Sequence, residues 1–70
     1  MTTTQLIIIA HGDLDVEIPL LVERDYGRII WDVSRPGTAR NRYTGRRYDL
    51  TENRTRAFEE AHRMDIWRAL

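Results

Sequence analysis

Two sets of alternating apolar residues constrain this chain more than any other feature. Val16, Ile18, Leu20 and Val22 form the first set, and Ile29, Trp31 and Val33 the second. Successive side chains of a strand point to opposite faces, so each set defines one buried face of one strand. The segment "DYGR" (25–28) between them reads as a hairpin turn, with Gly27 available for positive φ. Parity then sets the register. An even-numbered loop pairs Arg24 with Ile29, Val22 with Trp31 and Leu20 with Val33, and gathers the large apolar groups on one face. An odd loop pairs Val22 with Ile30 and splits them. The even loop is the expectation.

The remaining elements follow from this hairpin. Thr4 to Ala10 predicts a strand, because Ile7, Ile8 and Ile9 are β-branched and crowd a helix. "HGDLD" (11–15) predicts the turn into the second strand, Asp15 to Arg24. Pro19 lacks the N–H that a central strand donates. It predicts a bulge there, or a neighbouring strand that has already ended. The third strand spans 28–34. Residues 35–47 predict a long Arg-rich connection, and "RRYDL" (46–50) a short fourth strand. Thr51 is a suitable N-cap with Glu52 in the first turn, and a helix free of Gly and Pro should run from 52 to about 69. Ala57, Phe58, Ala61 and Met64 share one stripe, which predicts the face against the sheet, with Trp31 opposite Phe58. Ile66 and Leu70 fall on the other side, with Trp67 between. The expected fold is therefore α+β: residues 1–70 as one domain, an antiparallel sheet of three or four strands packed against one C-terminal α-helix.

Charge narrows the function. All eleven basic residues are Arg, and they balance eleven acids. Arg favours bidentate contacts that Lys does not make, although codon bias produces the same composition. Residues 1–33 carry six acids and two Arg; residues 34–48 carry five Arg and no acid; residues 49–70 carry five acids and four Arg. A neutral average thus contains a basic segment between acidic ones. Arg35, Arg40, Arg42, Arg46 and Arg47, with Tyr43 or Tyr48 for stacking, suit phosphate contacts. Dedicated nucleic-acid binders are usually basic overall, which favours an arm that recognises a groove on another protein. Alternatively the Arg pair with acids of the strands. Ile66, Trp67 and Leu70 add a candidate partner contact at the helix end, because exposed large apolar groups cluster at interfaces.

Catalytic and metal chemistry find little support. His11, Asp13 and Asp15 cluster near a strand end, but their spacing matches no metal or acid–base motif. His62 reads as a boundary residue on the helix. Ser34 is the only Ser, and neither His has sequence support as its base. Cys is absent, which removes thiolate ligands and disulfides and fits a reducing cytoplasm. No enzyme activity, metal or cofactor is expected. The apolar run Leu6 to Ala10 suits a strand rather than a membrane span, and "MTTTQLIIIAHGD" lacks the basic start of a signal peptide.

In outline the whole chain, with its strands first, "DLTEN" cap and final Glu/Arg-rich helix ending in "IWRAL", resembles small orphan proteins of phages and other mobile elements, among them anti-CRISPR proteins. That resemblance implies a protein without enzymatic motifs that binds a larger protein or ribonucleoprotein effector in the cytoplasm of a host cell. Many anti-CRISPR proteins are acidic nucleic-acid mimics; zero net charge and a basic segment favour occlusion of a protein surface instead. The alternatives are a small nucleic-acid-binding accessory protein and a homodimer with a structural role.

Overall fold

The computed structural model describes residues 1–70. Five strands form one antiparallel sheet: β1 (Thr2–His11), β2 (Leu14–Asp25), β3 (Arg28–Val33), β4 (Thr38–Asn41) and β5 (Arg47–Asp49). Two short helices follow, α1 (Glu52–Ala61) and α2 (Arg63–Ala69). The α+β class holds. The sheet has five strands rather than three or four, and the helix is not single.

β2 organises the sheet. All but its last two residues pair with β1, from Thr2↔Glu23 to His11↔Leu14. Its other edge is shared by two strands placed end to end. β3 takes Leu20 to Asp25, and β4 takes Leu14 to Glu17. β5 then pairs with β4. The β2–β3 register is the one parity required: Leu20↔Val33, Val22↔Trp31 and Arg24↔Ile29. Tyr26 and Gly27 both take positive φ, at 50° and 77°, as a two-residue type I′ turn demands.

Pro19 marks the hand-over between β3 and β4. Its carbonyl accepts from Ser34 N, so its backbone faces the shared edge and not β1. The pairing with β1 is one-to-one through Leu6↔Pro19, without a bulge. One more step of the β3 ladder would require an N–H from Pro19, and none exists. β3 therefore stops at Val33. Extending the β4 register backwards would place Pro36 opposite Pro19, so both residues without a donor fall in the gap. Of the two outcomes that Pro19 predicts, the ended neighbour is the one observed.

The link from β3 to β4 passes very close to β2. Gly37 is buried, and a Cβ on it would fall on the Glu17 carbonyl oxygen. Gly37 N donates to Thr55 Oγ1 on α1 at 2.9 Å, and Thr55 Oγ1 donates to Thr51 O at 2.8 Å. Thr51 caps α1 as expected, accepting from Arg54 N.

The Thr55 contact fixes the rotation of the helix. Thr55, Phe58, Glu59, His62 and Ile66 turn toward the sheet, and Ala57, Ala61 and Met64 turn to solvent. The stripe expected to cover the sheet is thus rotated away, by about a third of a turn. Met64 is 64% exposed, whereas Ile66 is fully buried. The helix breaks at His62, whose backbone (φ −119°, ψ 28°) leaves the helical region. Trp31 does not meet Phe58. It packs on Trp67, with ring centroids 6.0 Å apart, while Phe58 meets the His11 ring edge-on at 5.0 Å. Ile66 joins Ile7, Ile9, Val16, Ile18, Leu20, Val22, Val33, Ala39 and Leu50 in the core.

The helix phase gives a direct test. Ile66→Ala should cost ~2–5 kcal/mol and Met64→Ala almost nothing in urea unfolding. Equal costs would contradict the observed rotation. Gly37→Ala should lower the melting temperature sharply, because the link cannot move off Glu17 without releasing Thr55; a melt unchanged within error would show that the approach is not tight.

Candidate interaction surface

The Arg-rich segment is not a free connection. Residues 38–49 form the β4–β5 hairpin, tied by its own polar groups. Asn41 Oδ1 accepts from Tyr43 N and Thr44 N, and Asn41 N donates to Arg46 O. Such an Asx turn lets a short polar side chain replace backbone partners at the bend. The segment pairs because Ala39, opposite Val16, fits fully buried against β2.

Two of the five Arg brace this hairpin against the rest of the sheet. Arg42 Nε donates to Asp15 Oδ1 at 3.1 Å, and its Nη2 donates to Leu14 O at 3.2 Å. Asp15, first through the hydrogen bond and then through its charge, raises the Arg42 guanidinium above its ordinary value. A raised value keeps the guanidinium charged until strong alkali, so rising pH does not release the brace. Arg47 lies 3.7 Å from Glu17. Arg35, Arg40 and Arg46 form no ion pair. Tyr43 stands at the tip of the turn, largely exposed.

The helix-end candidates divide. Ile66 is fully buried in the protein's own core and offers nothing to a partner. Leu70 packs against that core, and its carbonyl accepts from Arg24. Trp67 keeps half its surface exposed while touching Trp31. These positions looked external because Thr55, Glu59 and His62 give the inward face a polar sequence.

The largest surface that sequence reasoning missed is the second face of the sheet. The helices cover one face alone. On the other, Leu6 (55% exposed), Ile8 (62%), Leu21 (45%) and Ile30 (52%) stand in the open. The register makes them contiguous: Ile8 and Leu6 are neighbours along β1, and Thr4↔Leu21 and Glu23↔Ile30 place Leu21 and Ile30 on the next diagonals. The stripe crosses three strands. Glu17, Glu23 and Asp32 share this face, and so do Arg28 and Arg40 by register. The signal was present in the sequence. "LIII", "LL" and "II" are apolar at both parities, and a strand of that kind needs cover on both faces.

A second polar cluster joins the β1 end to the helix break. His11 Nδ1 lies 2.9 Å from His62 Nε2, and His62 Nδ1 lies 3.0 Å from Asp65 Oδ2. One consistent assignment has His62 donating to Asp65 and His11 donating to His62. Asp13 and Asp15 do not take part, and no group of three or more His, Asp or Glu side chains is arranged to hold a metal ion. Beside the cluster, His11, Arg54, Ala57, Phe58 and Ala61 line an open hollow of about 370 Å³. Nearer β3, Arg63 stacks over the Trp31 ring at 4.9 Å and pairs with Glu59 at 3.3 Å.

No family model, curated protein or solved structure matches this chain. No helix is long and apolar enough to cross a membrane.

Arg42→Ala should free the hairpin tip locally. Amide exchange at residues 42–46 should quicken in hydrogen-exchange mass spectrometry while the melting temperature changes little, since exposed pairs contribute weakly to global stability. Unchanged exchange would show that the turn holds itself without the brace.

Proposed function

We propose that the chain is a stoichiometric protein-binding inhibitor, of the anti-CRISPR type its outline resembles, that occludes a surface of a larger protein or ribonucleoprotein effector. The observation that supports this reading is the uncovered sheet face. Leu6, Ile8, Leu21 and Ile30 form an exposed apolar stripe, and both charge signs border it. Contiguous apolar surface with a mixed polar rim suits contact with protein. Phosphate backbone instead selects a continuous basic surface.

The Arg segment now supports this reading from another side. Arg42 and Arg47 are paired with Asp15 and Glu17, so three of the five remain for partners. Arg35 lines a shallow hollow with Leu6, Glu17 and Pro19, beside the apolar stripe. Arg35 and Arg40 are therefore placed to meet carboxylates at the rim of a protein interface. Nucleic-acid binding is the second reading, and the free Arg35, Arg40 and Arg46 favour it. Three phosphate contacts on duplex DNA give a slope of log K against log salt of about −2.7, and five would give about −4.5.

The test uses a bacterial host with active CRISPR interference. Expression of the chain should restore plating of a targeted phage, and the pair Leu21→Glu with Ile30→Glu should abolish the rescue while circular dichroism and melting stay close to the parent. Rescue that survives both substitutions would remove the sheet face from the mechanism. No rescue, together with micromolar or tighter binding to bare oligonucleotides at physiological salt, would promote the second reading.

A further inference from the structure

The outer edge of β1 is unlike every other edge of the sheet. Ten residues long, "TTTQLIIIAH" carries no Asp, Glu, Lys, Arg or Pro and pairs with β2 without a bulge. Edge strands are normally protected by charge, Pro, bulges or short length. The opposite edge has that protection. β3 is six residues with Arg28 and Asp32, and β5 is three residues with Arg47 and Asp49.

The ladder shows which groups this edge presents. Met1 and Arg24 exchange both backbone bonds, Arg24 N to Met1 O at 3.0 Å and Met1 N to Arg24 O at 2.9 Å. Hydrogen-bonded pairs recur every second residue of an antiparallel ladder. Residues 3, 5, 7, 9 and 11 therefore bond to β2. The N–H and C=O groups of Thr2, Thr4, Leu6, Ile8 and Ala10 point outward. Side chains follow the same parity: Ile7 and Ile9 face the core, and Leu6 and Ile8 face the open side.

We propose that β1 pairs antiparallel with β1 of a second copy of this chain, about a two-fold axis at Leu6, to join two sheets into one. Parity restricts the register. An outward residue must meet an outward residue, so the two residue numbers in each pair sum to an even number. The register centred on Leu6 satisfies this. Thr2 meets Ala10, Thr4 meets Ile8 and Leu6 meets Leu6 of the copy, and all five outward residues of each strand exchange both their bonds. A slip by one residue would set outward groups against inward ones and turn Leu6 to the core side of the copy.

Charge selects a second copy as the occupant. The edge has no charged side chain for a foreign strand to complement, and its own sequence meets no like charge when paired with itself. The net charge of the chain is zero, so two copies do not repel each other over distance. Pairing also continues an apolar surface. Leu6 and Ile8 of both copies become cross-strand neighbours on the open face. This edge is distinct from the Leu21–Ile30 half of the stripe used in the functional test, so the two ideas can fail separately.

Sedimentation velocity over a concentration series tests the proposal on the full chain alone. The parent should form a concentration-dependent dimer. Ile8→Pro and Thr4→Pro remove an outward N–H and leave the β1–β2 ladder its donors; each should give a folded monomer by circular dichroism. Ile7→Pro removes an inward donor and should unfold the chain. Because Cys is absent, Leu6→Cys introduces one thiol per copy. It should oxidise to a covalent dimer, and Ile30→Cys should not. Leu21→Glu with Ile30→Glu should leave the dimer intact. A parent that stays monomeric throughout, a dimer that persists in folded Ile8→Pro, or a Leu6→Cys dimer no more readily oxidised than Ile30→Cys would each overturn the proposal.

Discussion

The bond from Gly37 N to Thr55 Oγ1 holds the two layers in register. It exists because β2 is twice as long as β3 and its far edge must be covered by two strands in turn. Pro19 ends the first, and the chain has to leave the edge and return to it within "SRPG". That short path lies directly on β2, which only a residue without Cβ permits at position 37. The buried N–H of Gly37 would then lack a partner, and a buried unpaired donor costs about 1–3 kcal/mol. Thr55 supplies the acceptor and passes its own hydrogen back to Thr51. The helix is thus oriented by a polar contact before any apolar packing is counted.

That order of events explains what was legible in the sequence. The hairpin from Asp15 to Val33 could be read because apolar alternation and turn chemistry agree on one register. Thr51 could be read as a cap because capping is local. The helix phase could not. Apolar periodicity favours Ala57, Phe58, Ala61 and Met64, but a partner remote in sequence, Gly37, holds Thr55 on the inner side. Ile66 and Leu70 carried the true phase and looked like a departure from it. β4 was hidden for a related reason. "TARN" has one apolar residue, and its strand character comes from Ala39 seated against Val16, a contact absent from local propensity.

The Arg segment shows how tertiary structure changes the meaning of charge. Five Arg without an acid read as an exposed arm while the acids are counted only by position in sequence. Antiparallel pairing of β2 with β4 brings Asp15 and Glu17 beside Arg42 and Arg47. Half-exposed pairs of this kind add little to global stability. Their effect is geometric: they hold the hairpin to the sheet and leave Arg35 and Arg40 beside the open apolar face. The candidate site therefore moves from a loop and a helix end to a sheet surface, and its best members, Leu21 and Ile30, lie within strands whose alternation had seemed fully explained by the core.

A sheet with one covered face carries a consequence for stability. Only 14 of the 70 residues are buried; six of them are the inward parity of β1 and β2, and the rest are Pro19 and residues that come one or two at a time from β3, β4, the connecting links and the two helices. A core of that size supplies a margin of only ~3–5 kcal/mol, and this chain has no disulfide to raise it. Yet the sequence keeps Leu6, Ile8, Leu21 and Ile30 on the outer parity, where polar residues would suit solvent and cost the fold little. An isolated domain gains only a little from them, through cross-strand contacts and strand propensity. Apolar surface of this kind is stabilising only once something removes it from water. The binding reading and the edge pairing place different groups against a second molecule: side chains on the face, backbone on the rim. Both account for a chain that carries apolar surface beyond what its own helices can cover.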